Sequence, residues 1–263
     1  MKNEELRLKN KRPEQEEIRL NKFLSDAGFC SRREADRFIE QGTVFINDQV
    51  AVMGQKVMAG DVVRVDNQVI TREEEQILIA FNKPMGVECT SDLSNPDNII
   101  DYIGYPKRIY PIGRLDKNSQ GLILLTNDGS IVNNILKASN YHEKEYIVTV
   151  DKPITDEFIH KMSTGVKIPT EGFIKRGKTD KNIPKQITRP CKVTKVNKHT
   201  FQIILTQGLN RQIRRMCDEL GYHVQKLKRI RVMNIELGNL PIGTYRNVTD
   251  QELQKLLKSF REQ

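Results

Sequence analysis

The sequence lacks any run of about 20 apolar residues, the length that a membrane-spanning helix requires. Its first residues, Met-Lys-Asn-Glu-Glu, are mostly polar or charged, and no apolar core of the kind found in secretory signal peptides follows them. We therefore expect a cytoplasmic protein without a membrane partner.

Metal-binding motifs are also missing. The 4 cysteines form no Cys-x-x-Cys pair, and the 4 histidines are scattered without the spacing of a ligand set. The sequence therefore predicts no metal site, and we expect the cysteines to be reduced, as is usual in the cytosol. The residues concerned are Cys30, Cys89, Cys191, Cys217, His142, His160, His199 and His223.

What the sequence does contain is an excess of positive charge. Lysine and arginine total 43 against 34 acidic residues, which gives a net charge of +9 and an isoelectric point near 9.3. Such an excess favours a polyanionic partner, and nucleic acid is the most common one. A chain of 263 residues is also long enough for one large or two smaller domains with their own cores.

Residues 17–66 have the pattern of a small basic module, between a charged, flexible tail (1–16) and a polar linker (67–76). Apolar residues recur at helical spacing from Leu20, and Ser31 with Glu34 has the form of a capping box at the start of a second helix. From charge alone, the basic helices suit RNA binding and simple solvation equally. The cations concerned are Arg19, Lys22, Arg32, Arg33 and Arg37.

Three segments of this module resemble the alpha-L RNA-binding module first known from ribosomal small-subunit protein four. They read Arg-Leu-Asn-Lys-Phe-Leu, Cys-Ser-Arg-Arg-Glu-Ala-Asp and Gly-Thr-Val-Phe-Ile-Asn, all within residues 18–66. The resemblance implies that the five cations bind RNA. Because this module occurs in several unrelated RNA enzymes, it implies no particular reaction.

The rest of the chain, residues 77–263, alternates predicted strands and helices. This alternation indicates an α+β fold class: a small N-terminal module followed by a larger mixed α+β domain. The polar stretch 170–190 suits a loop or a short hairpin. Strands are predicted at 77–81, 122–126, 146–150 and 201–206, and helices at 131–138, from about residue 155, at 211–220 and at 250–260.

The most informative stretch is Gly-Arg-Leu-Asp at residues 113–116, which is followed by a polar loop and the predicted strand 122–126. It places the carboxylate of Asp116 at the mouth of a buried strand, with Arg114 two residues earlier. Taken alone, such an aspartate is more often a turn residue that bonds to the nearby backbone.

Four segments together resemble the ribosomal RNA pseudouridine synthases that carry an N-terminal alpha-L module. They are residues 113–129, 144–146, 207–216 and 243–249, and the resemblance extends over about residues 18–258. Residues 141–155 and 231–234 are most similar to the F group of large-subunit synthases. Within this family, Asp116 matches the one aspartate that the reaction requires, so the resemblance favours a catalytic role over a turn.

The resemblance implies isomerisation of uridine to pseudouridine by a catalytic domain over residues 77–263, without metal or organic cofactor. The glycosidic bond is cleaved, the uracil turns, and its carbon 5 rejoins the ribose. A carboxylate can attack ribose carbon 1 or remove a proton from carbon 2, and the residues do not choose between these routes. The target uridine has to leave its helix to reach Asp116.

The resemblance also assigns roles to other residues. Tyr146 matches an active-site tyrosine that stacks on the extruded uracil, and Arg214 an arginine that pairs with Asp116 and keeps it ionised. Arg114 matches an arginine near the flipped nucleotide. Without the resemblance, Tyr146 fits a half-buried strand position, and Arg214 fits a weak surface pair with Asp218.

The predicted helix 211–220 divides into a basic face and an apolar face. Arg211, Arg214 and Arg215 share the basic face with Asp218, and Asn210 is a plausible N-cap. We expect Asn210, Arg211 and Arg215 to contact the substrate together with Arg114.

We therefore expect a monomeric isomerase acting on large-subunit (23S) ribosomal RNA or its assembly precursor, with transfer RNA as a second candidate. One alternative is the same reaction on small-subunit or transfer RNA. Another is a catalytically idle RNA-binding factor of ribosome assembly, against which the presence of Asp116, Tyr146 and Arg214 argues. A third is a hydrolase of small molecules, against which the alpha-L module and the positive charge argue.

Overall fold

The chain alternates short helices and strands and divides into two compact units. The computed structural model describes residues 17–71, 75–137, 141–170 and 184–261, so the predicted tail of residues 1–16 lies outside the described residues. The first unit comprises Met1–Leu78, Gly104–Tyr110 and Leu125–Ile131, and the second comprises Ile79–Ile103, Pro111–Leu124 and Val132–Gln263.

Within the first unit, the described residues 17–71 form two helices and six short strands. Four of the strands form an antiparallel sheet in the order β3-β2-β5-β6, while β1 pairs with β4. Buried aliphatic side chains such as Leu24, Ile39 and Val44 join the helices to the sheet in one core. The elements are β1 (Glu17–Arg19), α1 (Leu20–Asp26), α2 (Arg32–Glu40), β2 (Val44–Ile46), β3 (Gln49–Val50), β4 (Lys56–Met58), β5 (Val63–Val65) and β6 (Gln68–Ile70).

Helix α2 begins with the predicted capping box. The Ser31 hydroxyl accepts a hydrogen bond from the Glu34 backbone N–H at 3.2 Å, and the Glu34 carboxylate accepts one from the Ser31 N–H at 2.7 Å. These contacts satisfy two backbone donors that the helix itself leaves unpaired. They also draw the pKa of the Glu34 carboxyl below its ordinary value.

The linker predicted at residues 67–76 is wrong in part. Strand Gln68–Ile70 pairs with β5 and belongs to the sheet of the first unit. Asp66 and Asn67 form the tight turn between these strands, with a φ of 49° at Asp66. Their polar character is that of a hairpin turn. Residues 72–74 lie outside the described residues.

A nine-stranded sheet organises the chain from residue 78 onward. Its main order is β13-β14-β10-β15-β9-β7-β17, with β16 beside β15 and β8 beside β9. These strands are β7 (Leu78–Lys83), β8 (Tyr110–Pro111), β9 (Gln120–Thr126), β10 (Lys144–Val150), β13 (Lys192–Lys195), β14 (Thr200–Leu205), β15 (Val224–Val232), β16 (Ile235–Glu236) and β17 (Tyr245–Asn247).

The remaining elements of the described part of the chain are five helices and a separate strand pair. Every strand and helix predicted for residues 77–263 is present, with ends shifted by a few residues. These elements are α3 (Ile99–Ile103), α4 (Gly129–Leu136), α5 (Asp156–Thr164), β11 (Lys167–Pro169), β12 (Lys185–Ile187), α6 (Gln212–Glu219) and α7 (Asp250–Arg261). Strands β11 and β12 are antiparallel, so the described ends of the stretch 170–190 are brought together, while residues 171–183 lie outside the described residues.

The contact between β9 and β15 fixes the position of the loop that carries Asp116. The two strands are parallel and pair through Lys228 with Gln120 and Arg229 with Gly121. Gly121 has a φ of 107°, and a Cβ atom there would lie 2.2 Å from the Arg229 carbonyl oxygen. Such an approach requires glycine. Because Gly121 follows Asp116 by five residues, the seam anchors one end of the loop.

No helix among the described residues is both long enough and apolar enough to cross a membrane. The same part of the chain contains no group of three or more His, Cys, Asp or Glu side chains arranged to hold a metal ion.

Candidate active site

A single cavity in the second unit brings together six of the residues predicted to act on the substrate. Its volume is about 960 Å³, at the upper end of the range for small-molecule sites. The six residues come from the loop before β9, from β10 and from the start of α6. They are Arg114, Asp116, Tyr146, Asn210, Arg211 and Arg214.

Asp116 lies on a loop that is tied to the protein through its backbone. The Asp116 carbonyl accepts a hydrogen bond from the Ser119 N–H at 2.9 Å, and the Lys117 carbonyl accepts one from the Gly86 N–H at 2.9 Å. The carboxylate itself is 30% exposed. It is therefore held in place and still accessible to a ligand.

Arg214 approaches Asp116 from α6. Its Nε atom is 3.9 Å from the Asp116 carboxylate, while its Nη2 donates to the Asn118 carbonyl at 2.8 Å. Its Nη1 donates to the Val224 carbonyl at 3.1 Å. The side chain is only 12% exposed, and this burial, followed by the nearby Arg211 charge, lowers its pKa, while Asp116 opposes the shift. One buried cation thus faces the carboxylate and holds the loop that carries it.

The surface pair between Arg214 and Asp218, the alternative interpretation of the sequence without the resemblance, is not formed. The Asp218 carboxylate instead lies 3.1 Å from the Nδ1 atom of His223. Arg214 is turned toward the cavity, so the pairing with Asp116 suggested by the family resemblance agrees with its position.

The start of α6 differs from the prediction that Asn210 is its N-cap. Arg211 occupies that position in a left-handed conformation, with a φ of 48° and no side-chain cap. The side-chain oxygen of Gln212 instead accepts the Leu209 N–H at 3.1 Å. This backbone turn places the Arg211 Nη1 atom 4.0 Å from the Asp116 carboxylate.

Arg215 does not lie on the solvent face that the helical pattern predicted. It is buried, it does not line the cavity, and its Nη1 donates to the carbonyl of Pro169 at 2.5 Å. Strand β11 therefore covers this side of α6. The structure therefore does not support the prediction that Arg215 contacts substrate, because its guanidinium group is directed at the protein backbone.

Tyr146 reaches the cavity opposite a bulge in β15. Glu145 pairs with Arg231 and Tyr146 with Arg229, so one residue of β15 is skipped between them. The Arg231 Nε donates to the Glu145 carboxylate at 2.5 Å. Burial by itself lowers the pKa of Arg231, but the hydrogen bonds to Glu145 and Glu143 outweigh it, so the pKa lies above its ordinary value. The bulge and this ion pair fix the side of the strand on which the tyrosine ring lies.

Sequence reasoning missed three further cations at or near the cavity, of which Arg229 and Lys83 are buried and Lys144 is half-buried. Arg229 lines it and donates from Nε to the Leu122 carbonyl at 2.6 Å. Lys144 also lines it, and its pKa is lowered, first by burial and then by Arg229. Lys83 is fully buried and its Nζ donates to the carbonyl of Val87 at 2.7 Å. A lysine at the end of an apolar strand was a detectable signal for the last of these.

The cations predicted to bind RNA lie in the first unit. Arg19, Lys22 and Arg32 line one surface depression of about 210 Å³. Arg33 and Arg37 are exposed on α2. Exposed or half-buried cations of this kind can contact phosphates without a large desolvation cost.

Family models match both parts of the chain. Residues 77–219 match the model described as RNA pseudouridylate synthase, and residues 18–63 match the S4 domain. The first match covers more than half of the chain and includes Asp116, Tyr146 and Arg214.

Curated relatives share this combination over most of their length. The chain is 53% identical to "Dual-specificity RNA pseudouridine synthase RluF" of Escherichia coli strain K12 over 243 residues, covering 92% of this chain and 79% of the relative. It is 33% identical to "Ribosomal large subunit pseudouridine synthase B" of Bacillus subtilis strain 168, covering 90% and 95%. The resemblance to the F group is thus confirmed.

A solved structure supports the same assignment. A crystal structure described as a pseudouridylate synthase matches with a TM-score of 0.63 and 28% identity, covering 91% of this chain and 99% of that one. This match confirms the predicted α+β fold class. Together with the family models and the curated relatives, it shows that the chain belongs to the RNA pseudouridylate synthase family.

Proposed function

We propose that this enzyme converts a uridine of large-subunit (23S) ribosomal RNA, or of its assembly precursor, to pseudouridine, with Asp116 acting on an extruded nucleotide. The observation that carries the proposal is the position of the Asp116 carboxylate in the cavity, 3.9 Å from Arg214 and 4.0 Å from Arg211. A held, accessible carboxylate between two cations suits attack on a sugar carbon or removal of a proton from one.

The reaction balances within the nucleotide. The bond between uracil nitrogen 1 and ribose carbon 1 breaks, and a bond between uracil carbon 5 and ribose carbon 1 forms. Carbon 5 loses its proton and nitrogen 1 gains one. Asp116 assists by adding to ribose carbon 1 or by taking a proton from carbon 2, and it is released unchanged in either route.

The neighbouring side chains have separate roles in this proposal. Tyr146, half-buried on the cavity wall, supplies an aromatic face on which the uracil stacks. Arg214 orients Asp116 and the loop from its buried position. Arg114, Asn210 and Arg211 line the cavity and contact the sugar, phosphate and flanking nucleotides.

The N-terminal module supplies affinity in this scheme. Residues 17–66, extended by β6 to residue 70, hold an RNA stem next to the target through Arg19, Lys22, Arg32, Arg33 and Arg37. Contacts of such cations with phosphates release bound counterions, so they strengthen binding without selecting a base sequence. We place the enzyme in the cytoplasm, where this RNA is assembled, and expect it to act as a monomer.

The choice of RNA rests on the relatives. One is named for the large ribosomal subunit and another for dual specificity, so we propose large-subunit RNA as the main substrate and transfer RNA as a second one. The experiment is pseudouridine mapping of total RNA from cells with the gene, without it, and with only the Asp116→Asn variant.

We expect one or more pseudouridines of 23S ribosomal RNA to disappear in both altered strains. Loss at a transfer RNA position as well would establish a second substrate. Loss confined to small-subunit RNA would overturn the choice of target. Intact pseudouridines, with a ribosome assembly defect that Asp116→Asn repairs, would favour a non-catalytic assembly factor.

A further inference from the structure

A solvent-exposed aromatic ring beside the cavity is covered on one side by an arginine. The guanidinium carbon of Arg189 is 4.3 Å from the centre of the Tyr141 ring, which is a cation–π contact. Tyr141 nevertheless remains 58% exposed. Neither residue takes part in the isomerisation as derived above.

Both residues adjoin the wall of the cavity. Tyr141 directly precedes His142, which lines the cavity. The Arg189 N–H donates to the side-chain oxygen of Gln207, another lining residue, at 3.1 Å. The stacked pair therefore lies at the edge of the cavity, and RNA that leaves the cavity on this side passes the exposed ring.

The backbone holds the pair in place before any RNA binds. Tyr141 has a φ of 51°, a conformation that residues with a side chain keep only where their surroundings enforce it. Arg189 follows the buried Thr188, whose N–H donates to the Val166 carbonyl at 3.0 Å and whose hydroxyl accepts the Val166 N–H at 3.0 Å. Little ordering is then lost when a ligand stacks on the ring.

The chemistry of this pair suits an unpaired nucleotide. Bases that have left a helix stack on exposed aromatic rings, and a guanidinium behind the ring attracts the adjoining phosphates. A base next to an extruded uridine has lost a stacking partner, so a ring at the edge of the cavity offers it a replacement.

We propose that Tyr141, backed by Arg189, forms a second nucleotide subsite on which the base adjacent to the extruded uridine stacks. This inference rests on the proposed function, since it takes the cavity as the place of the uridine. The subsite holds the RNA open at the target and contributes to binding, while the chemical step remains at Asp116.

The first measurement uses a transcript of 23S ribosomal RNA and single-turnover kinetics. We expect Tyr141→Leu to raise the half-saturating RNA or enzyme concentration about 5- to 100-fold, the range for loss of one base–aromatic stack. The maximal rate should stay near that of the wild type. Tyr141→Phe keeps the ring and should behave as the wild type, and Arg189→Gln should show a smaller loss.

Tyr222→Leu is the matched control. The Lys152 Nζ lies 6.0 Å from the centre of the Tyr222 ring, so this tyrosine also carries a cation, but the ring packs on Phe158 and does not line the cavity. We expect its RNA binding to be unchanged. If Tyr141→Leu does not fold, the fluorescence measurement on the wild type still tests the subsite, because an unquenched probe on both sides of the uridine would show that no base stacks on the ring.

The second measurement uses a short stem–loop RNA around the mapped uridine, with 2-aminopurine on either side of it. Stacking on Tyr141 should quench the fluorescence of one probe, and Tyr141→Leu should restore it. Wild-type affinity and quenching in Tyr141→Leu would overturn the subsite. So would a loss of binding in Tyr141→Phe equal to that in Tyr141→Leu. A loss of binding in Arg189→Gln while Tyr141→Leu binds as the wild type would also overturn it, because the arginine would then contact phosphate without any base stacked on the ring.

Failure of the proposed function would look different. In that case the wild type binds the 23S transcript but forms no pseudouridine, and filter-binding of the same transcript still decides whether Tyr141 carries a stack. Conversely, normal pseudouridine formation with unaffected Tyr141 variants removes the subsite and leaves the proposed function intact.

Discussion

The two basic regions of the molecule use positive charge in different ways. In the first unit, Arg33 and Arg37 are exposed to solvent along α2. In the cavity of the second unit, Arg214 and Arg229 are largely buried and donate to backbone carbonyls. Exposed cations can follow a flexible phosphate backbone, whereas buried ones hold a fixed arrangement of loop and strand.

The two regions should therefore control different measurable quantities. Charges that contact phosphates set the affinity for RNA and its dependence on salt. Charges that orient the loop of Asp116 set the rate of reaction at saturating RNA. Variants in the two regions should therefore separate rate from affinity.

We expect the largest loss of reaction rate from substitution of Asp116. Asp116→Asn removes the nucleophile or base and should lower the rate by more than about 10⁴-fold, while RNA binding changes by less than about twofold because the side chain contributes little to phosphate contacts. Tritium release from labelled RNA measures the rate. Asp97→Asn, which removes the carboxylate 2.6 Å from Lys117, is the control and should stay active. Near-normal turnover of Asp116→Asn would refute the mechanism.

Arg214→Ala should have the next largest effect. It removes the cation facing Asp116 and the donor to the Asn118 carbonyl, so we expect a rate loss of about 10²- to 10³-fold, as for one preorganised electrostatic partner. Single-turnover rates of purified, folded protein provide the measurement.

Two neighbours on α6 serve as controls for Arg214. Asp218→Ala should be mild, since Asp218 contacts His223. Arg215→Ala should lower thermal stability more than the rate, because Arg215 is buried against the Pro169 carbonyl. If Asp218→Ala equals Arg214→Ala, or if Arg215→Ala has the slowest chemical step, the assignment along this helix is wrong.

A buried cation that donates to backbone carbonyls should affect stability. Lys83 donates to the Pro84 carbonyl at 2.8 Å and to the Val87 carbonyl at 2.7 Å. Lys83→Met keeps the chain length but leaves these buried acceptors without that donor, so the free energy of unfolding should fall by about 2 kcal/mol. Denaturant titration measures it, with the exposed Lys161→Met changing it by less than about 0.5 kcal/mol.

The effect of Lys83→Met should depend on pH. Burial lowers the pKa of Lys83 below its ordinary value of 10.5, so the unfolded chain binds the proton more tightly than the folded one. Stability then rises with pH between the lowered pKa and 10.5. The difference between wild type and Lys83→Met should therefore widen as the solution becomes alkaline, and a difference that shrinks would contradict burial of the charged form.

The smallest effect is expected on the exposed helix. Arg33→Ala combined with Arg37→Ala should reduce the log–log slope of RNA affinity against salt by about one for each phosphate that an arginine no longer neutralises. The rate at saturating RNA should not change. Filter-binding over a salt series gives the slope, and an unchanged slope would mean that this face of α2 is only solvated.

Local patterns predicted the elements well because they depend on neighbouring residues. The capping box at Ser31 and the strand that leads away from Asp116 are both present. The start of α6 was not predictable, since the left-handed turn at Arg211 depends on contacts of the folded chain. The prediction for Arg215 was wrong for a similar reason, because a helical wheel does not show that a strand distant in sequence covers one side of the helix.

The residues of the candidate site show the same difference between local patterns and long-range contacts. A motif located Asp116, Arg114 and Tyr146, because their spacing along the chain is sufficient to recognise them. Arg229 and Lys144 reach the cavity only through the pairing of β10 and β15. Neither segment alone indicates that it pairs with a strand about 80 residues away in the sequence.

The seam at Gly121 has a consequence for mutational tolerance. Even one added methyl group would meet the Arg229 backbone at 2.2 Å, so β15 would have to move and carry a wall of the cavity with it. Among inherited or selected variants, Gly121, which has no side chain to take part in chemistry, should thus be as intolerant of substitution as Asp116, the proposed catalytic residue. An inactive variant at this position would indicate that a wall of the cavity has moved, while every reactive group is still present.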